Sequence, residues 1–124
     1  MLVLTRTIAR HELKPLIRFL KIDDLLEGAR KVKKGLAVEI RQPRKLQNIR
    51  FYKVRIGARN NARMIVFMKS EKKSIVPVLI RLKKDKVFGM NMAMNSPIVV
   101  NHINRNLIRI FDDIQNKDYQ EFTL

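Results

Sequence analysis

The chain has no cysteine and no tryptophan, and only 11 of its 124 residues are acidic. Without cysteine it has no disulfide framework and no thiolate metal site, and it fits a reducing compartment. No apolar run approaches the roughly 18 residues that a membrane span needs. The short apolar start is interrupted by Arg6 and Arg10, which is not the pattern of a signal peptide. We therefore expect a cytoplasmic protein that does not enter a membrane.

Positive charge is what the sequence has in excess, with 27 Lys and Arg residues and a net charge of +16. Because so many like charges repel one another in the folded state, the excess indicates a polyanionic partner. Nucleic acid is the first candidate, with an anionic membrane surface or an acidic protein as alternatives. The length predicts one domain, residues 1–124, and 46% hydrophobic content is enough for a single core.

No motif in the chain predicts a cofactor or a metal. There is no glycine-rich phosphate loop, nucleophile elbow or zinc motif. His11 and His102 are far apart in the sequence and have no Cys or carboxylate partner at metal-ligand spacing, so we expect surface or core roles for both. Asp112 and Asp113 are adjacent, and neighbouring helical positions do not face each other.

Hydrophobic periodicity predicts an α+β fold with an N-terminal helical hairpin, an antiparallel meander of three to four strands and a C-terminal helix. In the hairpin, the first helix starts near Pro15, and the second has Asp23 or Asp24 as its N-cap and stops at Gly35. Residues 36–40 fit either a strand or an extension of that helix.

The ends of the chain give weaker patterns. Residues 2–4 predict a short edge strand. Ser96 as N-cap with Pro97 at the first helical position starts the C-terminal helix, over about residues 96–115. The polar tail, residues 116–124, is expected to fray or to dock loosely.

The centre of the chain, residues 50–82, predicts three strands at about 50–56, 63–68 and 74–80, within a core sheet of about 44–88. Pro77 falls in the third strand and has no N–H for a ladder, which indicates an edge, a bulge or a late strand start. Between Arg41 and Lys69 there are nine Lys and Arg residues and no acidic residue. This sheet is therefore the candidate site.

Lys53 and Arg55 are two residues apart on one strand, so they project to the same face, and a hairpin brings Arg63 back towards them. Several cations on one face can hold a phosphate and stabilise the charge that develops on it. Crowded cations also depress one another's pKa, which makes a lysine a conceivable general base. The alternative is a set of solvated charges, which would still bind polyanions.

Four short segments resemble the RelE/ParE superfamily of toxins from bacterial type II toxin–antitoxin systems: Arg44-Lys-Leu46, Phe51-Tyr-Lys-Val-Arg-Ile-Gly57, Arg63-Met-Ile-Val-Phe67 and the basic segment 83–88. The RelE branch implies a ribosome-associated endoribonuclease that cleaves mRNA without a metal or cofactor. It also implies two kinds of partner. These are the ribosome with its mRNA, and a cognate antitoxin whose acidic segment covers the basic face of the sheet.

The resemblance implies roles for individual residues. Lys53 and Arg55 act on the nucleophile and the phosphate, Arg63 stabilises the phosphorane-like charge, and Lys84 (or a neighbouring lysine, since the register is open) supports the leaving group. Phe88 stands where many members have Tyr, and it can stack on a base but cannot move a proton. The expected RNA-binding residues are Arg41, Arg44, Lys45, Arg50, Arg59, Lys83, Lys86 and Phe88.

Two other functions remain open at this point. One is a ParE-like, gyrase-directed toxin or a catalytically degenerate protein with the toxin fold. The other is a non-enzymatic, basic RNA- or ribosome-binding protein.

Overall fold

The computed structural model describes residues 1–42, 46–88 and 92–124, which form an α+β fold around a six-stranded mixed sheet with the strand order β2-β3-β4-β5-β1-β6. The predicted fold class is confirmed, but the sheet has six strands where three to four were expected. In the described ranges no helix is both long and apolar enough to cross a membrane. The strands are β1 Leu2–Thr5, β2 Val38–Ile40, β3 Ile49–Ile56, β4 Ala62–Lys69, β5 Ile75–Leu82 and β6 Tyr119–Phe122; the helices are α1 Arg6–Ile8, α2 Ile22–Lys33 and α3 Pro97–Gln115.

The predicted meander forms β3, β4 and β5, paired antiparallel in sequence order. Val66 pairs with Pro77 while Ile65 pairs with Leu79, so Val78 is an extra residue and β5 bulges there. A bulge was one of the three explanations offered for Pro77. The third strand runs to Leu82, two residues beyond its predicted end, and this extension brings Arg81 into the sheet.

The two ends of the chain meet in the sheet, contrary to the sequence-based expectation. β1 lies between β5 and β6, so it is an inner strand and not an edge, and all four of its residues are buried. The tail does not fray, because Tyr119–Phe122 forms β6 and pairs antiparallel with β1 along its whole length. The prediction for the tail was therefore wrong.

The N-terminal helical segment starts earlier than predicted. It begins at Arg6, continues as a π-helical turn over Ala9–Leu13, and tightens to a 3₁₀ turn over Lys14–Leu16. Pro15 lies in the first turn of the 3₁₀ segment and has no N–H with which to continue the π-helical hydrogen bond that Lys14 makes to the carbonyl oxygen of Ala9. Pro15 thus marks a change of helix type, not the start of the helix.

The second helix differs from prediction at its start and agrees at its end. Lys21 is the N-cap, and Asp24, at the third helical position, accepts the backbone N–H of Lys21 at 2.8 Å. The assignment of Asp23 or Asp24 as N-cap was therefore wrong. Gly35 has φ 75, and the N–H groups of Gly35 and Leu36 donate to carbonyl oxygens of the last helical turn. This is a Schellman ending, as the glycine predicted. Residues 38–40 then form a strand.

Helices cover the two faces of the sheet at different places. α2 lies against Val54, Ile56 and Met64 through Gly28. On the opposite face, Phe111 of α3 packs against Phe67 of β4 with ring centroids 5.9 Å apart. The second face is therefore apolar beneath α3, and its charged residues lie at the other end of the same strands.

We expect Gly28→Ala to lower the free energy of unfolding by about 1–3 kcal/mol through overpacking. A Cβ at this position would lie 2.6 Å from Cγ2 of Ile56 and 2.9 Å from Cε of Met64. This clash outweighs the gain in helix propensity of about 1 kcal/mol that alanine brings. Urea unfolding followed by circular dichroism measures the difference. Arg30→Ala, at an exposed position of the same helix, is the control, and a stabilised Gly28→Ala protein would show that α2 does not pack this closely.

Candidate nucleic-acid interface

Three arginines lie side by side across the meander. Arg55 of β3 pairs with Arg63 of β4, and Arg63 pairs with Arg81 of β5. Residues paired directly across antiparallel strands share a face of the sheet, so all three arginines belong to the face that carries Lys53. The backbone register therefore places Lys53, Arg55 and Arg63 on one face, as the sequence predicted.

A groove of about 520 Å³ lies at the edge of this face. β2 pairs with β3 only as far as Val38 opposite Lys53, and beyond that point Lys31 of α2 reaches the strand edge. Its Nζ donates to the carbonyl oxygen of Arg55 at 3.0 Å. The lining residues include four cations and no carboxylate. They are Lys31, Lys53, Arg55 and Arg63, with Leu36, Val38, Val54 and Asn60. We call this the four-cation groove.

Arg63 is the most enclosed cation of the groove, with only 6% of its surface exposed. Its Nη1 donates to the carbonyl oxygens of Asn60, at 2.9 Å, and Ala62, at 3.2 Å. Asn60 belongs to the turn between β3 and β4, where it adopts the left-handed φ of 54. The turn therefore holds the guanidinium in place before any ligand arrives, which is the preorganisation that charge stabilisation requires.

The electrostatics of the groove follow from burial and crowding. Burial lowers the pKa of Lys53, and the positive charges of Arg63 and Arg55 lower it further. Burial also lowers the pKa of Arg63, with Arg55 as the second cause. A bound anion would raise both pKa values again, because its negative charge offsets the repulsion among the cations and stabilises their charged forms.

Arg81 shares the face with the groove residues, but its guanidinium lies in a separate cluster. Its Nη1 donates to Oε1 of Glu12 at 2.5 Å, and its Nη2 lies 3.2 Å from Nε2 of His102. The guanidinium also lies 4.4 Å above the ring of Phe88. Sequence analysis found neither Arg81 nor this role for His102. Their partner Glu12 is 69 residues from Arg81 and 90 residues from His102 in the chain, so no local spacing could signal it.

The same cluster forms hydrogen bonds with backbone groups of β5 that β1 leaves unpaired. β1 pairs with β5 only at Leu2 and Ile75, so the rest of that edge of β5 needs other partners. Oε1 of Glu12 accepts the backbone N–H of Ile80 at 2.9 Å, and Nδ2 of Asn106 donates to the carbonyl oxygen of Val78 at 2.8 Å. Buried backbone groups that a strand would normally satisfy are thus satisfied by side chains.

The remaining predicted site residues do not lie in the four-cation groove. Lys84 lies over the ring of Phe19 and lines a second groove with Arg59 and Lys83. Phe88 packs against Arg81 and His102. Of the other predicted RNA-binding residues, Arg41 lines a small cavity beside α3, Arg50 lies 3.8 Å from Glu39, Lys86 is exposed, and Arg44 and Lys45 lie outside the described residues.

Comparison with known proteins adds no relative. No family model, curated protein or solved structure gives a significant match to this chain. In residues 1–42, 46–88 and 92–124, no three His, Asp or Glu side chains are grouped so that they could hold a metal ion.

The groove has the positive charge and the hydrogen-bond donors to bind a phosphate group. Its cations offer bidentate guanidinium donors and two ammonium groups, and the apolar side chains of Leu36 and Val38 form one wall. An RNA backbone supplies both a phosphate and a nearby 2′-hydroxyl that a base with a lowered pKa can deprotonate.

Proposed function

We propose that this protein is a RelE-like toxin, an endoribonuclease that cleaves mRNA on the ribosome, and that the four-cation groove is its active site. The observation that supports this most directly is the convergence of Lys53, Arg55 and Arg63 around one groove with no carboxylate in its lining. The net charge of +16 supports the same conclusion, since ribosomal RNA is a dense polyanion.

In the proposed reaction, the 2′-oxygen of one nucleotide attacks the adjacent phosphorus. Lys53, in its neutral form, takes the proton of the 2′-hydroxyl as the new oxygen–phosphorus bond forms. Arg63 and Arg55 hold the non-bridging oxygens, whose negative charge increases in the transition state. The bond from phosphorus to the 5′-oxygen breaks, and that oxygen takes a proton from solvent. The products are a 2′,3′-cyclic phosphate and a 5′-hydroxyl end.

A test uses purified ribosomes carrying a defined message with one known codon in the decoding site. We expect the protein to cut the message within or beside that codon, and primer extension to map a new 5′-hydroxyl end. Free message of the same sequence is the control, since a ribosome-dependent enzyme cuts it far more slowly. A message that stays intact on the ribosome, with the protein bound there, would refute cleavage.

A second candidate function is binding to the ribosome without cleavage. The observation that favours it is the position of Phe88, which packs against Arg81 and His102 outside the four-cation groove and has no hydroxyl with which to transfer a proton. In that case the four-cation groove would hold a phosphate of ribosomal RNA or of the message. The primer-extension experiment separates the two candidates, because only the first produces new ends.

The cleavage rate should depend on pH through Lys53. The pKa of Lys53 is lowered from 10.5 by burial and by the charges of Arg63 and Arg55, and below that lowered pKa the neutral fraction increases about tenfold per pH unit. We therefore expect the logarithm of the single-turnover rate to rise with pH with a slope near one below the lowered pKa of Lys53, and to level off above it. Lys53→Arg should remove this slope, because arginine stays protonated. A rate independent of pH in the wild type would contradict the assignment of Lys53 as the base.

We propose further that a cognate antitoxin covers this groove. Leu36 and Val38 are large apolar residues that remain 69% and 63% exposed beside the four cations. An amphipathic segment with apolar anchors and carboxylates fits this combination of surfaces, because its acids would pair with the cations while its apolar side chains cover the two residues.

A further inference from the structure

A second groove lies across the turn between β3 and β4. Its volume is about 580 Å³, and it is lined by Phe19, Arg59, Asn61, Leu82, Lys83 and Lys84. Asn60 lines the four-cation groove, and its two neighbours in the chain line this one. The two grooves are therefore separated by the width of a single turn, a distance that one nucleic-acid strand can cross.

The second groove combines an aromatic surface with positive charge. Phe19 is 44% exposed, and Nζ of Lys84 lies 4.7 Å from the centroid of its ring. Three of the six lining residues are cations, and none is acidic. An exposed aromatic ring with cations around it is the arrangement that binds unpaired nucleotides, with the base on the ring and the backbone phosphates on the cations.

The cationic side of the groove is held by the backbone. Arg59 has φ 54, a left-handed conformation that residues other than glycine adopt rarely. The N–H of Lys83 donates to the carbonyl oxygen of Asn61 at 2.8 Å, which ties the end of β5 to this turn. The backbone at Arg59 and Lys83 is thus fixed before a ligand arrives, so the binding of a phosphate costs little backbone entropy.

We infer that this second groove binds the base of an unpaired nucleotide belonging to the same RNA strand whose phosphate occupies the four-cation groove. The inference rests on the proposed function, because it takes RNA to be the ligand. A base stacked on Phe19 displaces Lys84 from the ring, and Lys84 then pairs with a phosphate of that strand. Since every base has a flat π-face, the contact accepts any base and adds affinity without fixing a sequence. The role of Lys84 is then to bind RNA beside the reacting bond, not to act at the leaving group.

The test is an anisotropy titration with a short, fluorescein-labelled oligouridylate that has 2′-O-methyl sugars, which the protein cannot cleave. We expect Phe19→Ala to weaken binding about tenfold, as loss of one stacked base does. Ile17→Ala is the matched control, because Ile17 is exposed on the same segment but does not line the groove, and it should bind as the wild type does. An abasic oligonucleotide of equal length should bind wild type and Phe19→Ala alike.

Phe19→Trp gives a second readout that does not depend on affinity. The chain has no other tryptophan, so its emission would report on this position alone. Quenching by the oligouridylate, but not by the abasic probe, is expected. If the wild type binds the oligouridylate while Phe19→Ala binds equally well and the tryptophan is not quenched, the inference is wrong and the proposed function stands. If the wild type does not bind the oligouridylate, the inference is wrong, whereas the proposed function is decided separately by cleavage of the ribosome-bound message.

Discussion

Glu12→Ala should lower the free energy of unfolding by about 3–5 kcal/mol, the loss that follows when one partner of a buried ion pair is removed. The side chain of Glu12 is only 1% exposed, and its two oxygens contact Arg81, His102, Asn106 and the backbone N–H of Ile80. Alanine would remove the carboxylate from the guanidinium of Arg81 and leave the N–H group of Ile80 without its acceptor, and a buried group that loses its acceptor costs its desolvation penalty. A loss of this size is a large fraction of the roughly 5–15 kcal/mol by which native domains are stable.

Urea unfolding followed by circular dichroism measures this effect. Glu12→Gln keeps the shape and one acceptor oxygen, so we expect a smaller loss than with alanine. Glu27→Ala, at an exposed position on α2, removes the same charge from the chain and should change stability by less than about 0.5 kcal/mol. A loss below about 1 kcal/mol for Glu12→Ala would show that the cluster does not close the edge of β5.

If the four-cation groove cleaves RNA as proposed, Arg63→Ala should reduce the rate of cleavage about 100- to 1000-fold, the usual effect of removing one preorganised donor to a developing negative charge. RNA binding should change much less, because the other cations of the groove remain. The loss of one phosphate contact on a single strand lowers the slope of log affinity against log salt by about 0.7. Rate and affinity therefore respond differently, and this difference identifies a group that acts in the transition state.

Single-turnover cleavage of ribosome-bound message gives the rate, and filter binding over a range of salt concentrations gives the affinity. Because Arg63 is buried and bonded to the β3–β4 turn, a thermal melt of the variant must accompany both. Arg63→Lys keeps the charge but loses the planar fork, so its rate should lie between those of the wild type and the alanine variant. Arg109→Ala, exposed on α3, is the control for net charge. Equal losses of rate and affinity would assign Arg63 to binding alone.

Local patterns in the sequence were sufficient to predict the centre of the fold. The alternation along residues 50–56 predicted which side chains of β3 share a face, and the register confirms that Lys53 and Arg55 lie on the face of Arg63. Ser96 and Pro97 predicted the start of α3 within one residue. These features depend on neighbours in the chain, and turn and cap residues report on such neighbours directly.

Features that depend on distant partners could not be predicted in this way. Tyr119–Phe122 is a strand only because β1, more than 110 residues earlier, supplies its hydrogen bonds. His102 looked isolated because its carboxylate partner, Glu12, is 90 residues away. The bulge at Val78 shifts the alternation within β5, and the strand extends past its predicted end, so Arg81 was not recognised as a sheet residue.

The most direct test of the proposed function is a map of new mRNA 5′ ends across the genome after a short pulse of expression, comparing the wild type with Arg63→Ala and Arg109→Ala. The proposal predicts cuts in phase with codons inside translated messages for the wild type and Arg109→Ala. These cuts should be absent, or reduced about 100-fold or more, for Arg63→Ala. Growth arrest by the wild type without any new 5′ ends would contradict the central claim that the four-cation groove cleaves mRNA.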